Sequence, residues 1–140
     1  VRSRRQRQMC IRDSYDSAHT DRLALYALFL ARHRSDHRAL AAMYLLTATE
    51  TLRRCAIPRI FDLWGIDIRS WSAVRTLSEQ EYVLFQAAKG IWQSQRTITI
   101  PELCDRKLVE DKTLELILNA ALIAHYGRAM LAFDRLEGRA

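Results

Sequence analysis

Glycine, proline and cysteine are scarce in this sequence, and each scarcity excludes a class of fold or site. Only four glycines and two prolines occur among 140 residues, too few for the many tight turns of a β-sandwich or barrel. The three cysteines, Cys10, Cys55 and Cys104, lie far apart, so no CxxC pair and no zinc-finger spacing is present. We therefore predict two buried free thiols, a third thiol in the tail, and a reducing, cytoplasmic setting.

Recognisable catalytic and cofactor motifs are lacking as well. The sequence contains no P-loop, no GxGxxG and no HExxH pattern. Serine, histidine, cysteine and carboxylate residues occur, but no spacing assembles them into a catalytic set. The sequence predicts a non-enzymatic protein with no catalytic, cofactor-binding or metal-binding residues. The alternative is a site that forms only in three dimensions, around His37 or His125.

The histidines have simpler explanations than catalysis or metal binding. His33 and His37 are four residues apart, a spacing that suits a metal on one helix. Between them, however, Ser35 and Asp36 indicate a helix break with Asp36 as the N-cap, which predicts a solvated turn. His125 lies in an apolar stretch and is expected to be a core histidine with a satisfied ring nitrogen.

The sequence has no uncharged apolar run of membrane-spanning length. The most apolar stretch covers 114–133, but Glu115, Asn119, His125 and Arg128 are spread through it, and ionised groups are costly in hydrocarbon. An apolar signal-peptide core is also missing from the beginning of the chain. These features predict a buried helix of a bundle and no membrane association.

Positive charge is the one strong bias in composition, and it is concentrated in the opening residues. The net charge is +6, and residues 1–14 hold five of the 22 basic and one of the 16 acidic residues. The remaining 17 basic and 15 acidic residues give 15–140 a net charge of only +2. The usual inference from a high isoelectric point to nucleic-acid binding therefore depends mainly on this segment.

Hydrophobic periodicity predicts an all-α fold. We predict a single-domain bundle of four main helices, with two or three short ones, over 15–140, preceded by a disordered or artefactual basic tail at 1–14. The main helices begin near Ser17 or Thr20, His37, Ser78 and Asp111 or Thr113. Cationic residues end the first two, the second at Arg53 and Arg54, and the last, expected near the centre of the bundle, ends before Gly138.

The middle of the chain is less regular. Pro58 is predicted to open a short helix that Gly65 ends, and Pro101 to open another. Residues 66–68 and 97–100 alternate in polarity and are candidates for a minimal two-stranded ribbon. The aromatics Trp64, Trp71, Trp92, Phe61 and Phe85 are candidates for lining a ligand pocket, although helical spacing favours core packing.

A helix-turn-helix-like unit at 101–126 provides the alternative function, a nucleic-acid-binding regulator. Its short helix, polar turn and long helix resemble that motif, but the second helix offers few side chains for base edges. The candidate contacts of this alternative are Arg53, Arg54, Arg106, Lys107, Lys112 and Asn119.

Two resemblances supplement these readings. Residues 3–14, "SRRQRQMCIRDS", resemble a translated sequencing-adapter or library-junction peptide of the kind found at the ends of unrelated proteins from metagenome assemblies. The chain also begins with valine. The resemblance implies that the native N-terminus is missing and that residues 1–14 carry no information about function.

The second resemblance covers about 19–92. "HRALAAMYLLTA", then "IFD" at 60–62, an isoleucine and "LFQAAKGIW" resemble a small helical domain of unknown function from phage and prophage-associated bacterial proteins, with His19 or His37 matching its early histidine. The last third departs from that pattern. The resemblance implies a non-enzymatic accessory or interaction protein with an unknown protein partner or a homodimer.

Overall fold

The computed structural model describes residues 17–62, 65–66 and 77–127, and it forms a single-domain all-α bundle, as the sequence predicts. Four helices are longer than the others, and three are short. In chain order the elements are α1 Ser17–Ala24, α2 Ala27–Arg32, α3 His37–Leu46, α4 Glu50–Ile60, β1 Phe61–Asp62, β2 Gly65–Ile66, α5 Glu79–Gln93, α6 Ile100–Leu103 and α7 Asp111–Tyr126.

The central helix is α3 rather than the last helix. Every side chain from Ala39 to Leu46 is buried, while Leu118 of α7 is 51% exposed. The main packing partners of α3 are α5 and α7, which also contact each other. The prediction for the last helix is wrong because only one face of α7 is covered, whereas the alanines of α3 let neighbours approach closely from several sides.

Three contacts define the directions of these helices. The Thr49 hydroxyl donates to Glu81 Oε2 at 2.5 Å, which places the end of α3 beside the start of α5. The Gln80 amide bonds the backbone at Leu108 and Glu110, so α5 and α7 begin together. Helix α3 therefore runs antiparallel to both. We call the start of α3 with the last turns of α5 and α7 the His37 end, and the opposite end the Glu81 end.

The second predicted helix is two helices, separated at Thr47. The Thr47 hydroxyl donates to the carbonyls of Met43 and Tyr44, at 2.9 and 3.1 Å. The Arg22 guanidinium binds the carbonyls of Thr47 and Ala48, at 2.7 and 2.6 Å. These bonds satisfy the carbonyl groups at the end of α3, where a helix leaves them without partners. The first predicted helix is likewise divided, into α1 and α2.

Three predicted helix boundaries differ from the structure in and after α4. Helix α4 begins at Glu50 and continues to Ile60, so Arg53 and Arg54 lie inside it instead of at a helix end. Pro58 also lies inside α4 and does not open a helix. Gly65 is part of β2 rather than a helix stop.

The predicted ribbon has a different partner. In the observed antiparallel pair, Ile66 faces Phe61 and Gly65 faces Asp62, while residues 67–68 lie outside the described residues. Residues 97–100 form no strand: the Thr97 backbone N–H donates to the Gln95 carbonyl at 3.1 Å, the Thr97 hydroxyl donates to the Gln86 carbonyl at 2.6 Å, and Ile100 already begins α6. Thr99 then caps α6, with Pro101 in its first turn.

Two predictions that rest on local capping signals agree with the structure. Ser78 and Glu81 form the predicted capping box of α5, and Asp36 caps α3 by accepting from the Ala39 amide at 3.2 Å. The N-cap of α7 is Glu110, however, rather than Asp111 or Thr113. The predicted tail at 1–14 and the chain after Gly127 lie outside the described residues.

Candidate binding groove

An open groove with a volume of about 600 Å³ lies at the His37 end. It is formed where the turn before α3 meets the last turns of α5 and α7. Its lining combines a hydroxyl, a carboxylate, an imidazole, a guanidinium and an indole. The lining residues are Ser35, Asp36, His37, Arg38, Trp92 and Ala124.

Local sequence explains how these side chains are placed. The hydrogen bond from the Ala39 amide holds the Asp36 carboxylate in place. This bond fixes Ser35 in the turn before α3 and Arg38 in the first turn of α3. Trp92 packs on the core along part of its surface and lines the groove with the rest. Ala124 is small, which keeps this side of the groove open.

The floor of the groove is set by contact between His37 and Gly127. A Cβ on Gly127 would lie within 2.8 Å of three atoms of the His37 ring, and Gly127 has a φ of +83°. Only glycine combines this backbone conformation with such a close approach. The His37 ring is therefore packed against the end of α7.

The groove does not assemble a catalytic triad from Ser35, Asp36 and His37. A nucleophile and its base need to lie within hydrogen-bond reach. The Asp36 carboxylate accepts instead from the Ala39 amide, and the His37 ring lies on Gly127. The polar cleft that an active site around His37 would need is present, but these three side chains do not form a triad in it.

One cation, Arg38, lines this groove, and four others lie in the neighbouring segments of the chain. Among the described residues, ion pairs join Arg53 with Glu50 and Lys112 with Glu115, and none of the five cations belongs to them. The Arg34 Nε donates to the Ala31 carbonyl at 3.4 Å. Asp36 is the only acid in 32–38, 89–96 and 121–127. The five cations there are Arg32, Arg34, Arg38 and Arg96, which are exposed, and Lys89, which is half-buried.

The Glu81 end carries several acidic residues, together with the cations Arg22 and Lys112. Glu79 and Glu81 lie in the first turn of α5, and Glu110 and Asp111 begin α7. Burial raises the pKa of Glu81, but hydrogen bonds from the Thr49 hydroxyl and from Ser78 outweigh it and hold this pKa below its ordinary value. The charges at this end are therefore mixed, whereas Asp36 is the only acid in 32–38, 89–96 and 121–127 at the His37 end.

Two of the six sequence-predicted nucleic-acid contacts, Arg53 and Arg54, lie in α4, near the Glu81 end. The Arg53 guanidinium pairs with Glu50 and donates to the Tyr26 hydroxyl at 3.4 Å. The bond from Arg53 lowers the pKa of Glu50, and the two partners raise the pKa of Arg53. Arg54 is exposed, and its charge also lowers the pKa of Glu50.

The other four candidates lie around α7. Arg106 and Lys107 are exposed in the turn after α6, and Lys112 is 4.0 Å from Glu115. Asn119 is buried, and its amide donates to the Tyr44 hydroxyl at 3.2 Å. Its assignment as a base contact is therefore wrong, because the residue faces the core.

The buried histidine of the described residues is His19 rather than His125. His125 is exposed, with its ring 4.6 Å from that of Tyr126, so the core assignment is wrong. His19 is the buried one; its Nε2 donates to the Tyr44 carbonyl at 2.9 Å. His33, in the predicted turn, lies against the Phe29 ring. No group of three metal-ligating side chains occurs in the described residues.

Seven large apolar side chains of the described residues are exposed. They are distributed over five parts of the fold, and nothing in the structure shows what covers them. They are Leu25, Leu28, Tyr82, Ile100, Leu108, Leu118 and Tyr126. The homodimer therefore stays a prediction.

Comparison with family models, curated proteins and solved structures finds no match for this chain. Among the described helices, none combines the length and apolar character needed to cross a membrane.

Sequence analysis did not predict the groove, although features of the residues that form it can be recognised in the sequence. Three arginines and two histidines flank the predicted break at 32–38, but cations near a helix end are also expected from the helix dipole. Trp92 reads as a core aromatic because of its helical spacing. Only the antiparallel packing of α3 and α5 brings the two features together.

Proposed function

We propose that this protein is a small, non-enzymatic binding module that takes an anionic partner in the groove at the His37 end. The observation that carries the proposal is a guanidinium in the lining of an open cavity, with further cations in the preceding stretch of chain. Arg38 lines the cavity from the first turn of α3, and Arg32 and Arg34 precede it at the end of α2 and in the turn that follows. Unpaired surface cations attract a polyanion by releasing its bound counterions.

Inorganic polyphosphate is a suitable first probe because it offers negative charge without other chemistry. The test variant replaces Arg32, Arg34 and Arg38 with glutamine. The matched control replaces Arg54, Arg106 and Lys107, which are also exposed, so both variants lose three positive charges. Both are made in a full-length chain whose five tail arginines are glutamine.

The expected result is a loss of affinity for polyphosphate of about tenfold or more in the first variant and a clearly smaller loss in the control. Equal losses in the two variants would show that net charge, and not the groove, is responsible. Loss confined to the control would favour the alternative site at 101–126. Circular dichroism confirms that each variant is folded.

The helix-turn-helix alternative has weaker support in the geometry. Asn119 faces the core, and Lys112 is close to an acid. Arg106 and Lys107 remain accessible but can contribute only positive charge. An accessory role in phage or prophage rests on the sequence resemblance alone.

A further inference from the structure

We propose that the anionic partner is a single-stranded nucleic acid, with one base stacked on Trp92 and its phosphates on Arg34 and Arg38. The inference rests on the proposed function and adds the chemistry of the ligand. It depends on one further observation: the groove that Arg38 lines is also lined by the half-buried Trp92.

An aromatic side chain among cations is the arrangement that single strands need. Their bases have no partner strand, so each can stack on a protein ring while basic residues follow the backbone. Trp92 supplies the ring and is held in place by its contact with the core. A ring fixed in advance loses little conformational freedom on binding.

The volume of the groove fits this ligand. About 600 Å³ lies within the range of small-ligand pockets, which is enough for one unstacked nucleotide. A duplex would keep its bases inside and would require a helix face in the major groove. The His37 end presents helix ends and a turn, so a single strand is the better fit.

Asp36 makes one part of the groove lining acidic, whereas Arg38 makes another part basic. The Asp36 carboxylate repels phosphates, but it accepts hydrogen bonds from N–H groups of bases, such as the ring N–H of thymine or uracil. Arg38 lines the same groove, and Arg34 lies just before it in the chain. We therefore assign the base edge to the side of Asp36 and the phosphates to the arginines. Lys89, one turn before Trp92 on α5, extends the cationic surface.

The test separates bases from phosphates. Fluorescence anisotropy measures binding of a labelled 12-nucleotide oligo(dT) and of an abasic phosphodiester strand of the same length to the full chain with glutamines in the tail. The expected result is about tenfold tighter binding of the strand with bases, as one stacked base would give. A matching oligo(U) arm distinguishes RNA from DNA, and base-dependent binding of either supports the proposal.

Substitutions at Trp92 locate the effect. Trp92→Leu should reduce oligo(dT) binding to the level of the abasic strand, while Trp92→Phe should keep most of the difference. Affinity for polyphosphate should change less than twofold in either variant. If the leucine variant does not fold, photocrosslinking of a bromouracil strand to the parent chain replaces it, and the crosslinked peptide should contain Trp92.

Other outcomes separate the two proposals. Equal, groove-arginine-dependent binding of the strands with and without bases overturns this inference and leaves the proposed function standing. Tighter binding of duplex DNA or of an acidic peptide overturns it in the same way, as does a crosslink outside the Trp92 peptide. If the groove arginines have no effect on polyphosphate, the proposed function fails as well.

Discussion

The imidazole of His37 lies against the backbone of Gly127, and this contact joins the start of α3 to the end of α7. The relationship has consequences for stability and for the groove, because His37 lines the cavity. It also explains why a glycine ends α7. The left-handed φ of +83° at Gly127 is costly for any other residue.

Gly127→Ala is expected to reduce the free energy of unfolding by about 1–3 kcal/mol, because of backbone strain, and to displace the His37 ring. Denaturant titration measures the loss. Adding His37→Ala should recover part of it by removing the overlap, while the strain remains. Independent, additive effects of the two substitutions would contradict the contact.

Tyr44→Phe removes the hydroxyl that accepts from Asn119. The Asn119 amide would remain buried without this bond, which should cost about 1–2 kcal/mol of unfolding free energy. The control is Tyr82→Phe, because Tyr82 is 51% exposed and the change there should be less than about 0.5 kcal/mol. Similar losses at the two tyrosines would argue against the bond between α3 and α7.

Arg22→Ala is expected to destabilise the bundle by about 1–3 kcal/mol, because it leaves the Thr47 and Ala48 carbonyls at the end of α3 without a charged donor. Thermal and chemical unfolding measure the loss. The matched change is Arg54→Ala, which removes the same charge from an exposed position in α4. A larger effect at Arg54 than at Arg22 would be inconsistent with the capping role.

Glu81 should make stability depend on acid. Because its folded pKa is below its ordinary value, its contribution is present above the unfolded pKa of about 4.3. That contribution is lost as pH falls through the folded pKa. Glu81→Gln should therefore lower the melting temperature more at pH 7 than at pH 3.

The neighbouring Glu79→Gln is the control for this pH dependence, because Glu79 is exposed in the same turn. If the melting temperatures of the parent chain and of the Glu81 variant changed in parallel between pH 3 and 7, the linkage between Glu81 ionisation and stability would be refuted. The linkage would also be refuted if the pH dependence of the melting temperature changed in the Glu79 variant but not in the Glu81 variant.

Sequence predicted those parts of the fold that depend on neighbouring residues. The capping residues Asp36 and Ser78 were identified because each bonds an amide three residues ahead, at Ala39 and Glu81. The break at Thr47 was not predicted, because it depends on Arg22, which approaches from another helix. Local bonds can be read from sequence, whereas tertiary bonds need the fold.

The candidate site shows the same limit. Arginine density at 32–38 was visible, but Trp92 joins it only through the packing of α5 on α3. Asn119 and His125 were misassigned for a related reason. Which face of α7 is buried depends on the position of α3, and neither residue type alone reveals it.

Asp36 is the only acid in the described segments at the His37 end, which carry five cations, so this end of the described body is locally cationic. If the partner is the polyanion proposed above, this local charge would favour encounters in which the His37 end faces it. The mixed charges at the Glu81 end would give no comparable orientation before contact.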